Sequence, residues 1–297
     1  MFKGVYTALV TPFRNGKLDE EAYIALVNRQ VDQGVDGVVP VGSTGESSTL
    51  SPEEHLHVIE LAVKTVAGRI KVVAGTGANS TVEAIHLTQA AEKLGVDASL
   101  LVAPYYNKPS QDGLFEHFSQ IARSVKIPLI LYSIPGRCGI EIGVETVRRL
   151  AEANPNIVSI KEAGGNSDRV SQLMDAVRKP GFTVLSGDDP LTLSFMAVGA
   201  QGVISVASNI IPAEVCAMVR AFAAGKTAEA LRIHQKYYPL YKNLFVETNP
   251  VPVKAALSMM GKCTEEVRLP LYHLSDKSRA VVKQTLEALN LISGANL

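Results

Sequence analysis

Lys161 ends a short apolar run, Ile157-Val158-Ser159-Ile160, and is followed by Glu162-Ala163 and two glycines. Runs of this length and type form buried strands. A lysine at the inner end of one has two fates. Its stem can snorkel so that the ammonium stays in water. Alternatively, burial strips the proton, and a neutral amine attacks a ketone carbon to give a Schiff base. The window by itself leaves both open.

Other stretches carry residue types suited to the second fate. Gly42-Ser43-Thr44-Gly45-Glu46 offers two hydroxyls in a glycine-flanked backbone, whose amides can bind a carboxylate. Simple turn formation is the alternative there. Tyr132 and the pair Tyr105-Tyr106 supply phenols, and a tyrosine passes a proton when a neighbouring hydroxyl relays it. Arg137 can hold a carboxylate through two parallel hydrogen bonds, or be a surface charge. Asp188-Asp189 stand where a phosphate would be repelled. His55 and His57 are two apart and face different ways on a helix, a poor metal pair. His86, His117, His234 and His273 have no clustered ligands, and Gly75-Thr76-Gly77 is an incomplete dinucleotide fingerprint. No metal and no organic cofactor is expected.

The elements that must position these residues follow one repeat. Eight apolar runs stand roughly 20 to 35 residues apart, the length of a βα unit. They are Val5–Val10, Gly37–Val41, Ile70–Ala74, Ala98–Val102, Leu129–Tyr132, Ile157–Lys161, Thr183–Ser186 and Gly202–Val206. Near-continuous apolar strands covered by helices predict an α/β fold, a (β/α)8 TIM barrel, over residues 1–225. Ser51-Pro52-Glu53-Glu54 and Ser80-Thr81-Val82-Glu83 read as capping boxes. Beyond Gly225 helices follow one another without strands, at about Thr227–Phe245, Val251–Met260 and Asp276–Leu291. Residues 226–297 are expected to form a C-terminal helical appendage. In such barrels the active site gathers at the C-terminal strand ends. That places Lys161 next to Tyr132, in one ring with Ser43, Thr44, Arg137, Gly187 and Ser205.

Composition sets the outer bounds. The chain has 297 residues, 46% of them hydrophobic and 20% charged. Lys+Arg and Asp+Glu both count 29, so the net charge is zero. That balance gives no basic face for nucleic acid or membrane lipid. Three widely spaced cysteines, Cys138, Cys216 and Cys263, make no disulfide framework and fit a reducing cytosol. The N-terminus reads as a strand start and not a signal peptide, and no apolar run spans a bilayer. A cytoplasmic protein is expected.

Six motifs together resemble the pyruvate-dependent class I aldolases and lyases, and among them the dihydrodipicolinate synthase family. They are Gly42–Glu46, Ala103–Pro109, Tyr132–Arg137, Ile160–Ala163, Ser186–Asp189 and Asn249–Lys254. The first also marks the wider superfamily that includes N-acetylneuraminate lyase. The resemblance spans essentially the whole chain. It implies that Lys161 forms a Schiff base with pyruvate and that Tyr132, Ser43 and Tyr106 relay protons, Tyr106 from a neighbouring subunit. Thr44 and the backbone near Ile204 match pyruvate-binding positions, and Gly187 is expected to be substrate-binding. Arg137 matches the group that receives the carboxylate of L-aspartate 4-semialdehyde, and the neuraminate lyase lacks it. Ser43 stands where a threonine is common, and Ser133 where an asparagine is. The loss of the Ser43 methyl frees its rotamers. The resemblance further implies a homotetramer built as a dimer of dimers. It also implies inhibition by L-lysine at Ser47, Ser48, His55, Asn79, Glu83 and Tyr105, with Pro52 and Ser48 departing from some inhibited members. The rival readings are a lyase for a sialic acid or a 2-keto-3-deoxy sugar acid, and a non-catalytic keto-acid-binding barrel.

Overall fold

Strand-length apolar runs that recur once per helix bury both faces either in an open, doubly wound sheet or by closing on themselves. The computed structural model describes residues 1–293 and shows that closure. Eight parallel strands form a barrel: β1 (Gly4–Ala8), β4 (Gly37–Val39), β5 (Lys71–Gly75), β6 (Ala98–Val102), β7 (Leu129–Ser133), β8 (Ile157–Glu162), β9 (Thr183–Ser186) and β10 (Gly202–Ser205). Each strand pairs with its sequence neighbour, and β1 closes the ring between β10 and β4. The fold is the α/β barrel that the spacing predicts. A small hairpin of β2 (Phe13–Arg14) and β3 (Lys17–Leu18) lies outside the ring. Two-residue strands carry no readable periodicity, so nothing in the sequence marked them.

Register decides which side chains share a face. Tyr132 is the Cα partner of Lys161, and Lys161 is the partner of Leu185. Partners in a parallel pair project to the same side of the sheet. Lys161 and Tyr132 therefore stand side by side.

The helix starts show why the connections hold. Ser51 caps α2 (Pro52–Val66) with both halves of the capping box present. At α3 (Thr81–Leu94) only half forms: Ser80 Oγ accepts from the Glu83 amide at 3.4 Å, and the Glu83 carboxylate does not return the bond. Gly95, at φ 85°, ends that helix in the left-handed region.

After α9 (Pro212–Ala223) come α10 (Thr227–Asn243), α11 (Val251–Met259) and α12 (Asp276–Ala288), each starting as expected and ending within three residues of the expected position. Their apolar faces are not set apart from the barrel. Leu240, Val253 and Leu286 belong to one apolar cluster with Tyr6, Val38 and Ile204. The tie is also ionic. Lys254 on α11 and Glu46, at the end of the turn after β4, have side chains 0% exposed and meet at 2.6 Å. Lys254 Nζ also donates to the Thr11 carbonyl at 2.9 Å and lies 4.4 Å from the Phe13 ring centroid. The second Glu46 oxygen accepts from the Arg268 amide at 3.0 Å. Burial pulls the Lys254 ammonium toward its neutral form, and Glu46 opposes that.

Removing one partner of such a pair leaves an uncompensated buried charge. Lys254→Met should lose about 3–5 kcal/mol of unfolding free energy in urea titrations. Adding Glu46→Gln should restore much of it. A single variant as stable as the parent would show that the pair does not hold the appendage.

Candidate active site

Position along β8 places Lys161 at the barrel mouth with 6% of its surface exposed. Its Nζ lies 4.2 Å from the Tyr132 ring centroid. Burial lowers the amine to about 7. Asp189 pulls it back up, Arg137 adds to the lowering, and Asp188 opposes it. The snorkelling fate does not occur: the amine stays inside and is poised to lose its proton near neutrality.

The space around it is made by what is missing. A Cβ on Gly187 would come 2.9 Å from Lys161 Cε and 2.7 Å from Ala163 Cβ. Any side chain at 187 would press on the lysine stem. The Gly187 amide donates to the Glu162 carbonyl at 2.7 Å. Behind the strand, the Glu162 carboxylate takes Arg169 Nε at 2.9 Å and the Gly164 amide at 2.7 Å.

Tyr132 is 5% exposed, and its burial raises the phenol to about 12. The Arg137 charge and the Ser43 hydroxyl pull the other way. Ser43 opens a tight 3-10 turn, Ser43–Gly45, set on the end of β4. Both flanks of the turn are left-handed: Val41 at φ 49° and Glu46 at φ 55°. That region disfavours a β-branched valine, so the surrounding contacts must hold the turn in place. The Ser43 and Thr44 amides have no acceptor among the described residues, as expected for the start of a helical turn. Thr44 is 4% exposed, and its Oγ1 accepts from Asn249 Nδ2 at 2.9 Å.

Arg137 rides on α5 (Pro135–Cys138), a single turn begun by proline and ended by Gly139 at φ 69°. Its Nη2 donates to the Asn249 carbonyl at 2.9 Å. The residue is exposed at the rim. Ile204 is buried on β10 beside its register partner Tyr6. Lys161, Tyr132, Ser43 and Arg137 are thus brought together. Tyr106 is not: at φ 75° its side chain is 90% exposed, away from the pocket of its own chain.

Of the residues matched to a lysine site, Asn79, Glu83 and Tyr105 gather at one place. Asn79 Nδ2 donates to the Tyr105 carbonyl at 3.2 Å. The Tyr105 phenol is raised, first by burial and then by the Glu83 charge. His55 is buried, bonded through Nε2 to the Gly75 carbonyl at 2.8 Å, and pushed by burial toward the neutral form. Ser47 and Ser48 lie in the turn Ser47–Thr49 that follows Glu46.

Sequence reasoning named Asp189 only as a charge that repels phosphate, and missed the bonds by which it and two later residues set this geometry. Asp189 is 3% exposed, and its Oδ2 accepts the Val206 and Ala207 amides at 3.0 and 2.9 Å. Asn249 and Lys254 reach the mouth from the appendage. Their only sequence signal was membership in the motif Asn249–Lys254.

The neutral amine is the reactive form. With the pKa lowered, it predominates above about pH 7. Reductive methylation at Lys161, followed by mass spectrometry across pH, should therefore rise with a midpoint close to 7. A midpoint near the ordinary lysine value of about 10 would show that the amine sees bulk water.

The profile of the dihydrodipicolinate synthetase family matches residues 1–289. The 4-hydroxy-tetrahydrodipicolinate synthase of Syntrophus aciditrophicus (strain SB) is 51% identical over 294 residues, covering 98% of this chain and 100% of that one. The solved structure of the 4-hydroxy-tetrahydrodipicolinate synthase from Methylacidiphilum fumariolicum SolV superposes with a TM-score of 0.96 at 55% identity, covering 98% of this chain and 96% of that chain. The dihydrodipicolinate synthase of Cyanidioschyzon merolae, solved with lysine bound, does so at 0.95 and 42%, covering 98% and 99%. A barrel with a buried, deprotonation-prone lysine beside a tyrosine, matched over almost its whole length, belongs to the dihydrodipicolinate synthetase family.

Proposed function

We propose that the chain is a Schiff-base lyase that condenses pyruvate with L-aspartate 4-semialdehyde. This is the 4-hydroxy-tetrahydrodipicolinate synthase reaction on the diaminopimelate route to L-lysine. The observation that carries the reading is the buried Lys161 amine, lowered to about 7 and set 4.2 Å from the Tyr132 ring.

Lys161 attacks the ketone of pyruvate, and loss of water gives an imine whose nitrogen acts as an electron sink. Thr44 and the free amides of the Ser43–Gly45 turn receive the pyruvate carboxylate. A methyl proton leaves through Tyr132, Ser43 and Tyr106, giving an enamine. The high phenol pKa makes Tyr132 a proton carrier, not a standing anion. The enamine attacks the aldehyde of the semialdehyde, whose carboxylate docks on Arg137. The substrate's own amine then closes the ring and releases Lys161. Every step is assigned to a side chain or to substrate, so the scheme invokes no metal or organic cofactor.

Tyr106 enters this scheme from a second copy of the chain, within a tetramer arranged as a dimer of dimers. What supports this is a large aromatic held outward by a left-handed backbone, 90% exposed in the single chain. L-lysine is proposed to bind near Glu83, Asn79 and Tyr105, its ammonium on the Glu83 carboxylate. The half-formed cap at α3 supports this, because it leaves that carboxylate uncommitted.

Pyruvate with borohydride should leave a reduced adduct on Lys161. Arg137→Ala and Tyr106→Phe should keep that adduct while turnover with the semialdehyde falls at least tenfold, about 1.4 kcal/mol of barrier. Label on another residue would refute the Schiff-base assignment, and equal loss of adduct and turnover would refute the two roles.

Saturating L-lysine should lower the initial rate, and Glu83→Ala should blunt the effect. A parent rate unmoved by lysine would remove the regulatory site.

A further inference from the structure

The residues that touch substrate in the proposed reaction sit on the barrel. Two of them are held by a residue of the appendage. Asn249 precedes α11 and is 5% exposed. Its side-chain Nδ2 donates to Thr44 Oγ1 at 2.9 Å, across 205 positions of sequence. Its main-chain carbonyl accepts from Arg137 Nη2 at 2.9 Å. Its Oδ1 is buried and has no partner among the described residues. We propose that Asn249 is a positioning residue that sets the hydrogen-bond polarity of Thr44 and so prepares it to donate to the pyruvate carboxylate.

A threonine hydroxyl has one proton and accepts through its lone pairs. Where Asn249 Nδ2 occupies a lone pair, the hydroxyl proton is left to point elsewhere. Among the described residues no group accepts it. A proton with no acceptor in the chain, beside the free amides of Ser43 and Thr44, suits an anionic substrate group.

The two bonds made by Asn249 separate cleanly. The Thr44 bond belongs to the side chain and the Arg137 bond to the backbone. Side-chain variants therefore act on the pyruvate half of the site and leave the Arg137 half in place. A residue that only stabilised this segment would disturb both.

The inference rests on the reading of Thr44 as a donor to pyruvate, so the experiment includes Thr44→Val. Steady-state constants for both substrates, and borohydride trapping with pyruvate, are measured for Asn249→Asp, Asn249→Ala and Thr44→Val. Asn249→Asp keeps the shape and replaces the donor with an acceptor, which draws the Thr44 proton away from substrate and adds charge. Losing a hydrogen bond to a charged group corresponds to about tenfold or more. Asn249→Asp should raise the pyruvate KM at least tenfold and Asn249→Ala less. Both should leave the semialdehyde KM within about twofold, because the Arg137 bond is made by the backbone. The trapped adduct should remain on Lys161 with its pH midpoint unmoved in Asn249→Ala. An Asn249→Asp enzyme with the parent pyruvate KM, beside a Thr44→Val enzyme with a raised one, would overturn the positioning role. A Thr44→Val enzyme with the parent KM would instead overturn the reading of Thr44. Parallel rises in both substrates' KM for Asn249→Ala would show a structural role only.

Discussion

Desolvation of one amine is the constraint on which the rest of the site depends. A lysine gives up its proton near neutrality where water cannot reach the ammonium and no carboxylate pairs with it closely. The barrel supplies the first condition by burying Lys161, 6% exposed, between its strand neighbours Tyr132 and Leu185. The second is harder to meet, since Asp189 is buried close enough to raise the lysine. Its carboxylate is turned to the Val206 and Ala207 amides. Those bonds fix the acid and weaken its hold on the proton of Lys161. The pKa of about 7 is the balance of these opposing effects, with burial the largest.

A reactive amine is of little use without fixed groups opposite it, and this is where the appendage matters. The turn carrying Ser43 and Thr44 is bracketed by left-handed Val41 and Glu46, conformations that a free chain would leave. Glu46 is held by Lys254 and by the Arg268 amide, and Lys254 also grips the Thr11 carbonyl. One buried pair thus joins the strand ends of β1 and β4 to α11. Buried ion pairs are weak sources of net stability, and their best-attested use is to specify one arrangement over others. Here the arrangement specified is the turn that faces Lys161. The helical segment after residue 225 is therefore part of the site's frame, in keeping with the apolar core it shares with the barrel.

What the sequence revealed and what it hid follow the range of the interactions. Strands, helices and caps are local, so the eight runs and the three late helices were legible with small errors at their ends. The placement of Lys161 beside Tyr132 was legible because strand order converts position into geometry. The Ser80 cap shows the limit, since its sequence pattern is complete while its second bond is absent. Asp189, Asn249 and Lys254 act across tens to hundreds of residues. No spacing rule links Thr44 to a residue 205 positions away. The turns that carry Ser43 and Arg137 are too short to show periodicity, so their residues were legible and their conformations were not.

The depth of each group in the mouth also sorts the chemistry. Lys161 and Tyr132 lie deep, where strand register alone fixes their relation and where a change of side chain disturbs the core. Arg137 lies at the rim on a single helical turn, exposed and held by one backbone carbonyl. On the proposed reading, groups at the first level activate the keto acid. Groups at the second can be exchanged by altering a short loop without touching the barrel. Asn249 bonds both to Thr44, on the turn beside Tyr132, and to Arg137 at the rim, so one residue of the appendage ties the two levels together.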